Sequence, residues 1–180
     1  MTSSTDRALV AKKQNLLFNQ LTAMPKRLAM VLTVLFTLGV GSMWGEDVTD
    51  EITASDLKAT STTYTDFSGV SKSSDAVYAG QSAKDGSGNI QLRSKNSNSG
   101  IVSTTSGGKV KSVKINVGSG SNTVDVYGSN TAYTSASDLY GNNQGTKIGS
   151  LTSNGTISFT SDYTYVGIRS YNGAIYLSSI

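Results

Sequence analysis

The sequence predicts an all-β, antiparallel β-sandwich of jelly-roll type, and three observations carry that expectation. Beyond residue 73 the apolar residues recur with a period of two, the signature of half-buried strands. Clusters of Gly, Asn, Asp and Ser punctuate these runs at the short intervals that turns require. No window of the region carries a sustained helical period, and its best helical segment, Thr134 to Tyr140, is long enough for one or two turns. An immunoglobulin-like sandwich is the competing topology, but the Cys…Trp…Cys signature of antibody-type domains is absent.

The strands follow in order. Ile90 and Leu92 alternate with Gln91 and Arg93. Val113, Ile115 and Val117 alternate with Lys114 and Asn116, and Val124 and Val126 with Asp125 and Tyr127. Ile157 and Phe159 flank Ser158. Turns are expected at Asp85–Asn89, Asn96–Gly100, Ser106–Gly108 and Gly118–Asn122. The chain closes with Tyr163–Tyr171 and Ala174–Ile180 around Asn172-Gly173, a pair suited to a type I′ hairpin. Such a hairpin would set Arg169 opposite Tyr176 and Ile168 opposite Leu177. Val166, Ile168, Ile175 and Leu177 would then face the core, and Tyr165, Arg169, Tyr171 and Tyr176 the outside. About eight or nine strands in all suit a sandwich.

Residues 46–73 read as an irregular lead-in to the sandwich of residues 74–180. Within it, Ile52–Leu57 and Tyr64–Phe67 are expected to supply a first strand and an irregular wrap. Ile180 lies inside the last strand pattern, so the sandwich is expected to be truncated at its C-terminus.

Residues 1–45 differ in kind. Lys26-Arg27 precede the apolar run Leu28–Val40, and small residues follow at Gly41, Ser42 and Gly45. A basic start, an apolar core of about 7–15 residues and a small-residue exit describe a helical signal peptide. The run is shorter than the roughly 20 apolar residues of a spanning helix. Cleavage is expected after Gly45, or else after Ser42, and Met24 is the more ordinary initiator. The domain is therefore expected to be exported, extracellular or at the cell surface, and to meet a membrane only through an uncleaved signal.

Charge divides at the same boundary. Five cations face Asp6 alone in residues 1–45, whereas ten cations face eleven acids beyond, a net charge of −1. A nucleic-acid partner needs clustered basic charge on the domain, which this balance lacks.

Residues 46–180 contain no His, Cys, Met, Trp or Pro. Disulfides are thus excluded, as are triads, thiol sites and the common transition-metal sites. Only two Glu are present, Glu46 and Glu51, so a glycosidase pair would have to be Asp–Asp. The domain is expected not to be an enzyme. Asp85 and Asn89 offer oxygen ligands in the spacing of some calcium loops, and the same residue types make a tight turn. The remaining route to function is recognition by aromatic rings. Arg169, flanked by Tyr165, Tyr171 and Tyr176, is the expected ligand-binding centre, because rings stack on sugars and guanidinium supplies a fork of donors. Arg93 is either a second such residue or a partner for Asp125.

Asn89-Ile-Gln-Leu-Arg-Ser94, Ser99-Gly-Ile-Val102, Gly108–Ile115, Val124–Asn130 and Tyr165-Val-Gly-Ile-Arg-Ser170 form a recognisable series. It resembles a β-sandwich module of exported, multidomain gut-bacterial proteins, similar to the galactose-binding-like jelly rolls. The Val126-Tyr-Gly-Ser129 phrase also resembles discoidin-type sugar-binding domains, although the Trp those domains often use is missing. The tyrosines make a carbohydrate-binding module the expected function; the resemblance, to modules that often accompany a hydrolase or nuclease domain, makes a structural spacer the alternative.

Overall fold

The strand pattern folds as its alternation dictates. The computed structural model describes residues 46–61, 63–95 and 98–180; the signal segment expected over residues 1–45 lies outside them. The described residues form ten strands: β1 (Thr65–Ser71), β2 (Val77–Lys84), β3 (Ile90–Arg93), β4 (Gly100–Thr105) and β5 (Ser112–Ser119), then β6 (Val124–Ser129), β7 (Thr146–Leu151), β8 (Gly155–Ser158), β9 (Tyr165–Ser170) and β10 (Ala174–Ser179). Every named pairing is antiparallel.

The strands run in the order β7-β6-β9-β4-β2-β3-β10-β5-β8, with β1 added on β2. Two layers arise because β2 is shared. Its residues Val77–Gln81 pair with β4, whereas Ala83 and Lys84 pair with β3. One layer is thus β7-β6-β9-β4 and the other β3-β10-β5-β8. From β3 onward each connection passes from one layer to the other, except the β6–β7 hairpin. That winding is a jelly roll rather than an immunoglobulin-like sandwich. At the far side β7 and β8 come close: a Cβ on Gly149 would lie 3.2 Å from Ile157 Cδ1. The sandwich is therefore nearly closed.

Alternation places the core. On β10, Ile175 and Leu177 are fully buried between the layers, while Tyr176 is half-buried and Ser178 exposed. Ile90, Leu92 and Ile115 join them from the same layer, and Val124, Val126, Ile101 and Ile168 face them from the other. Each such side chain contributes about 1.5–3 kcal/mol on burial.

The lead-in is part wrap and part strand. Ile52 exchanges backbone hydrogen bonds with Ile180, at 2.8 and 3.0 Å, and Ile52, Ala54 and Leu57 enter the core. Asp56 closes this turn by accepting from the Thr53 amide and hydroxyl, each at 2.8 Å. The first strand is β1, bulged between Phe67 and Val70.

The terminal hairpin is corrected. β9 lies between β4 and β6, and β10 between β3 and β5, so the two never pair. Arg169 stands opposite Asp125, and Tyr176 opposite Gln91 and Ser119. A type I′ turn needs positive φ at both central residues. Gly173 has φ 141°, but Asn172 does not enter that region. Asn172 instead accepts the Thr123 amide on its side-chain oxygen, at 2.8 Å. Asn122 braces the other side by donating to the Ala174 carbonyl at 2.6 Å. The pair Asn172-Gly173 is a corner between layers. The inward set Val166, Ile168, Ile175 and Leu177 is as expected, because β9 and β10 present these residues to one shared core from opposite sides.

Candidate functional site

Both arginines beyond residue 45 stand against tyrosine rings, and the fold brings them into one band. On β9, Val166, Ile168 and Ser170 point inward, which turns Tyr165, Gly167 and Arg169 outward. A single 3-10 turn, Ala136–Tyr140, covers part of this face. Asp138 anchors the turn by accepting from the Thr134 amide at 2.7 Å and the Thr134 hydroxyl at 2.9 Å. Leu139 drops onto Gly167, where a Cβ would come within 2.4 Å of Leu139 Cδ2. Val102, Tyr127, Tyr133 and Leu139 so form a second buried cluster, with Tyr140 and Tyr165 packed on it.

Arg169 emerges at the edge of that cluster. Its guanidinium carbon lies 4.8 Å from the centre of the Tyr140 ring and 5.4 Å from that of Tyr127. Its Nε donates to the Tyr127 hydroxyl at 3.2 Å, and that hydroxyl donates to Asp125 at 3.3 Å. Asp125 is only 1% exposed and also accepts from Ser150 at 2.7 Å and Lys147 at 2.8 Å. Lys147 in turn sits 5.3 Å over the ring of Tyr171. The Tyr140 ring is fixed by its hydroxyl, which donates to the Ser99 carbonyl at 2.7 Å.

Arg93 organises the other end. It is on β3, paired with Ala174, and lies 5.2 Å over the ring of Tyr64. The Tyr64 hydroxyl is buried and has no hydrogen-bond partner among the described residues. Burial pushes its pKa up to about 12, against the pull of Arg93 and with the help of the Tyr176 and Tyr140 phenols. Ser99 ties this end to the other: its hydroxyl accepts from the Arg93 amide at 3.0 Å, and its carbonyl accepts from the hydroxyl of Tyr140, whose ring lies beside Arg169. Tyr176 accepts a 3.3 Å hydrogen bond from Gln91. The band therefore runs from Arg93, stacked on Tyr64, through Ser99 and Tyr140 to Arg169.

The expected centre is thereby divided. Tyr165 shares the Arg169 face but packs into the second cluster. Tyr171 is 59% exposed and pairs with Lys147. Tyr176 belongs with Arg93, because the corner at Asn172-Gly173 sends β10 to the other layer. Arg93 is not the partner of Asp125, whose oxygens are taken by Lys147, Ser150 and Tyr127. Sequence reasoning missed Tyr64, hidden in a lead-in without alternation. The scarcity of arginine was the available signal: there are two beyond residue 45, both in outward strand positions.

Asp85 and Asn89 form a turn. The Asp85 carboxylate accepts from the Ser87 amide at 2.9 Å, and from the Asn89 amide and side chain at 2.8 Å each. Burial works to raise this carboxyl, but the hydrogen bonds from Asn89, Ser87 and Gly88 outweigh it and hold the pKa below the ordinary value. Its oxygens are engaged by protein donors, and no cluster of three or more metal-ligating side chains occurs among the described residues.

The tyrosines set an alkaline limit. Burial raises the pKa of Tyr64, Tyr78, Tyr127, Tyr133 and Tyr140 above the ordinary 10.0, with a hydrogen bond to Asp50 adding to the rise at Tyr78. A raised folded pKa means stability fully present below pH 10 and lost as pH climbs through the folded values. The tyrosinate absorbance of these rings should therefore appear together with loss of the β signal in circular dichroism. Smooth titration of Tyr64, Tyr78, Tyr127, Tyr133 and Tyr140 in an intact fold would contradict this.

Comparison with protein families, curated proteins and solved structures finds no match to this chain.

Proposed function

We propose that residues 46–180 are an exported, non-catalytic binding module that holds carbohydrate at the cell surface on the Arg93–Tyr64–Tyr140–Arg169 band. The observation that carries this reading is that both guanidiniums are half-buried against rings and neither meets a carboxylate among the described residues. Tyrosine rings offer flat apolar faces to sugar rings, and guanidinium donors suit sugar oxygens. Binding rather than catalysis is supported by the lack of His and Cys, and by the engagement of Asp125 and Asp85 in structural hydrogen bonds. The jelly-roll winding supports the likeness to galactose-binding-like modules, though fold alone never fixes function.

A glycan array with the purified chain tests this reading. Binding should fall about tenfold, or roughly 1.4 kcal/mol, in Arg169→Ala and in Tyr176→Ala. Each should cost only about 1 kcal/mol of folding stability, as at other half-exposed sites. Unaltered binding in both variants would sink the proposal. Export would be read from an N-terminus between Met43 and Asp47 on secreted protein.

A second reading is a structural spacer beside a hydrolase or nuclease domain. The packing of Tyr127 and Tyr165 into the second cluster favours it, since rings so used serve stability. A silent array with losses of several kcal/mol in both variants would favour the spacer.

A further inference from the structure

We infer that the band selects saccharides bearing an anionic group, a carboxylate or a sulfate, gripped by Arg93 and Arg169; the inference rests on the carbohydrate reading above. The domain gives its acids to lysines. Lys72 pairs with Asp56 at 2.7 Å, Lys109 with Asp162 at 2.5 Å and Lys147 with Asp125 at 2.8 Å. Acids outnumber cations in residues 46–180, yet among the described residues no carboxylate pairs with either arginine.

A half-buried cation is stable when an opposite charge or a ring meets it, and here the rings supply only part of that compensation. Arg169 uses Nε on Tyr127, and among the described residues no carboxylate meets its terminal nitrogens. Among the described residues the Arg93 guanidinium meets the Tyr64 ring and no carboxylate. A planar guanidinium presents parallel donors that match the two oxygens of a carboxylate or sulfate, a geometry a lysine ammonium lacks. The Tyr64 hydroxyl, buried and without a hydrogen-bond partner among the described residues, belongs to the ring on which Arg93 lies. The net charge of −1 means that attraction would be local to the band rather than a property of the whole domain.

The experiment titrates the full chain with four polymers by calorimetry: polygalacturonate, its methyl ester, a sulfated galactan and the same galactan desulfated. One charged polymer should bind at least tenfold tighter than its neutral counterpart, and the arm that does so identifies carboxylate or sulfate. That preference should vanish in Arg93→Gln and Arg169→Gln, and be largely lost in Arg93→Lys and Arg169→Lys, which keep the charge but not the fork. Equal binding of charged and neutral forms would overturn the anionic assignment and leave the carbohydrate reading standing. So would a preference that survives in both glutamine variants. Failure to bind all four would also overturn it, and a silent glycan array beside that failure would remove the carbohydrate reading as well. The comparison of polymers uses the unaltered protein, so it decides even where a variant folds poorly.

Discussion

Gly80→Ala is expected to unfold the domain or to remove at least about 4 kcal/mol of its stability, far beyond an ordinary strand substitution. Gly80 lies in β2, paired with β1 through Phe67 on one side and with β4 through Ile101 on the other. A Cβ there would lie 2.0 Å from the Gly100 carbonyl oxygen, 2.9 Å from its carbon and 3.0 Å from Phe67 Cζ. Two of these obstacles are backbone, so no rotamer change relieves the clash, and β4 would have to move. β4 has no room for that: a Cβ on Gly100 itself would lie 2.8 Å from the Ile168 carbonyl oxygen. Because β2 joins the layers and carries β1, the change would also displace Tyr64 and open the band between the arginines. Denaturant unfolding followed by circular dichroism measures the effect. A loss below about 1 kcal/mol would show that the layers are not hinged tightly at β2.

Asp125→Ala should cost about 3 kcal/mol, the next largest effect, because it leaves a buried network without its acceptor. Three donors converge on this carboxylate, from Lys147, Ser150 and Tyr127. Lys147 is 46% exposed and can turn to water, which keeps the loss at the lower end for a broken ion pair. The Tyr127 hydroxyl has less freedom, since its ring is 2% exposed in the second cluster. Arg169 would then lose a well-directed acceptor, so saccharide binding should weaken although Asp125 touches no ligand. Asp125→Asn keeps shape and an acceptor oxygen and should cost less. If alanine cost no more than asparagine, the acceptor oxygen that asparagine keeps would not be what holds the network together.

Much of the fold was legible because period-two alternation reports a two-sided environment directly. Ile90 and Leu92, Val124 and Val126, and Ile175 and Leu177 each declared an inward face that the sandwich honours. The final turn was misread because Asn172-Gly173 is a local signal, and a local signal cannot say whether the flanking strands already have partners. β9 and β10 each have two, so the pair became a corner and Tyr176 moved to the other layer. Tyr64 was illegible for another reason: it stands before a bulged strand without alternation, and only the β1–β2 pairing brings it to Arg93. The burial of Tyr127 and Asp125 was equally hidden, since outward strand positions read as solvent-facing until Leu139 is seen to pack with Tyr127, and Lys147, Ser150 and Tyr127 to close over Asp125. That Arg169 stands beside tyrosine rings was legible from its strand, but the rings it meets are Tyr127 and Tyr140 rather than Tyr165, Tyr171 and Tyr176, because they come from β6 and from the turn after it.

The central claim is that the two stacked arginines form one binding surface, and their side-chain Nε–Hε resonances test it directly. The chain contains four arginines, Arg7, Arg27, Arg93 and Arg169, so the spectrum is simple to assign by single Arg→Lys variants. Titration with the saccharide that gives the strongest array signal should shift the Arg93 and Arg169 peaks together, along one binding curve. Peaks of both that stay fixed while backbone amides elsewhere move to saturation would contradict the account and place the ligand on another face.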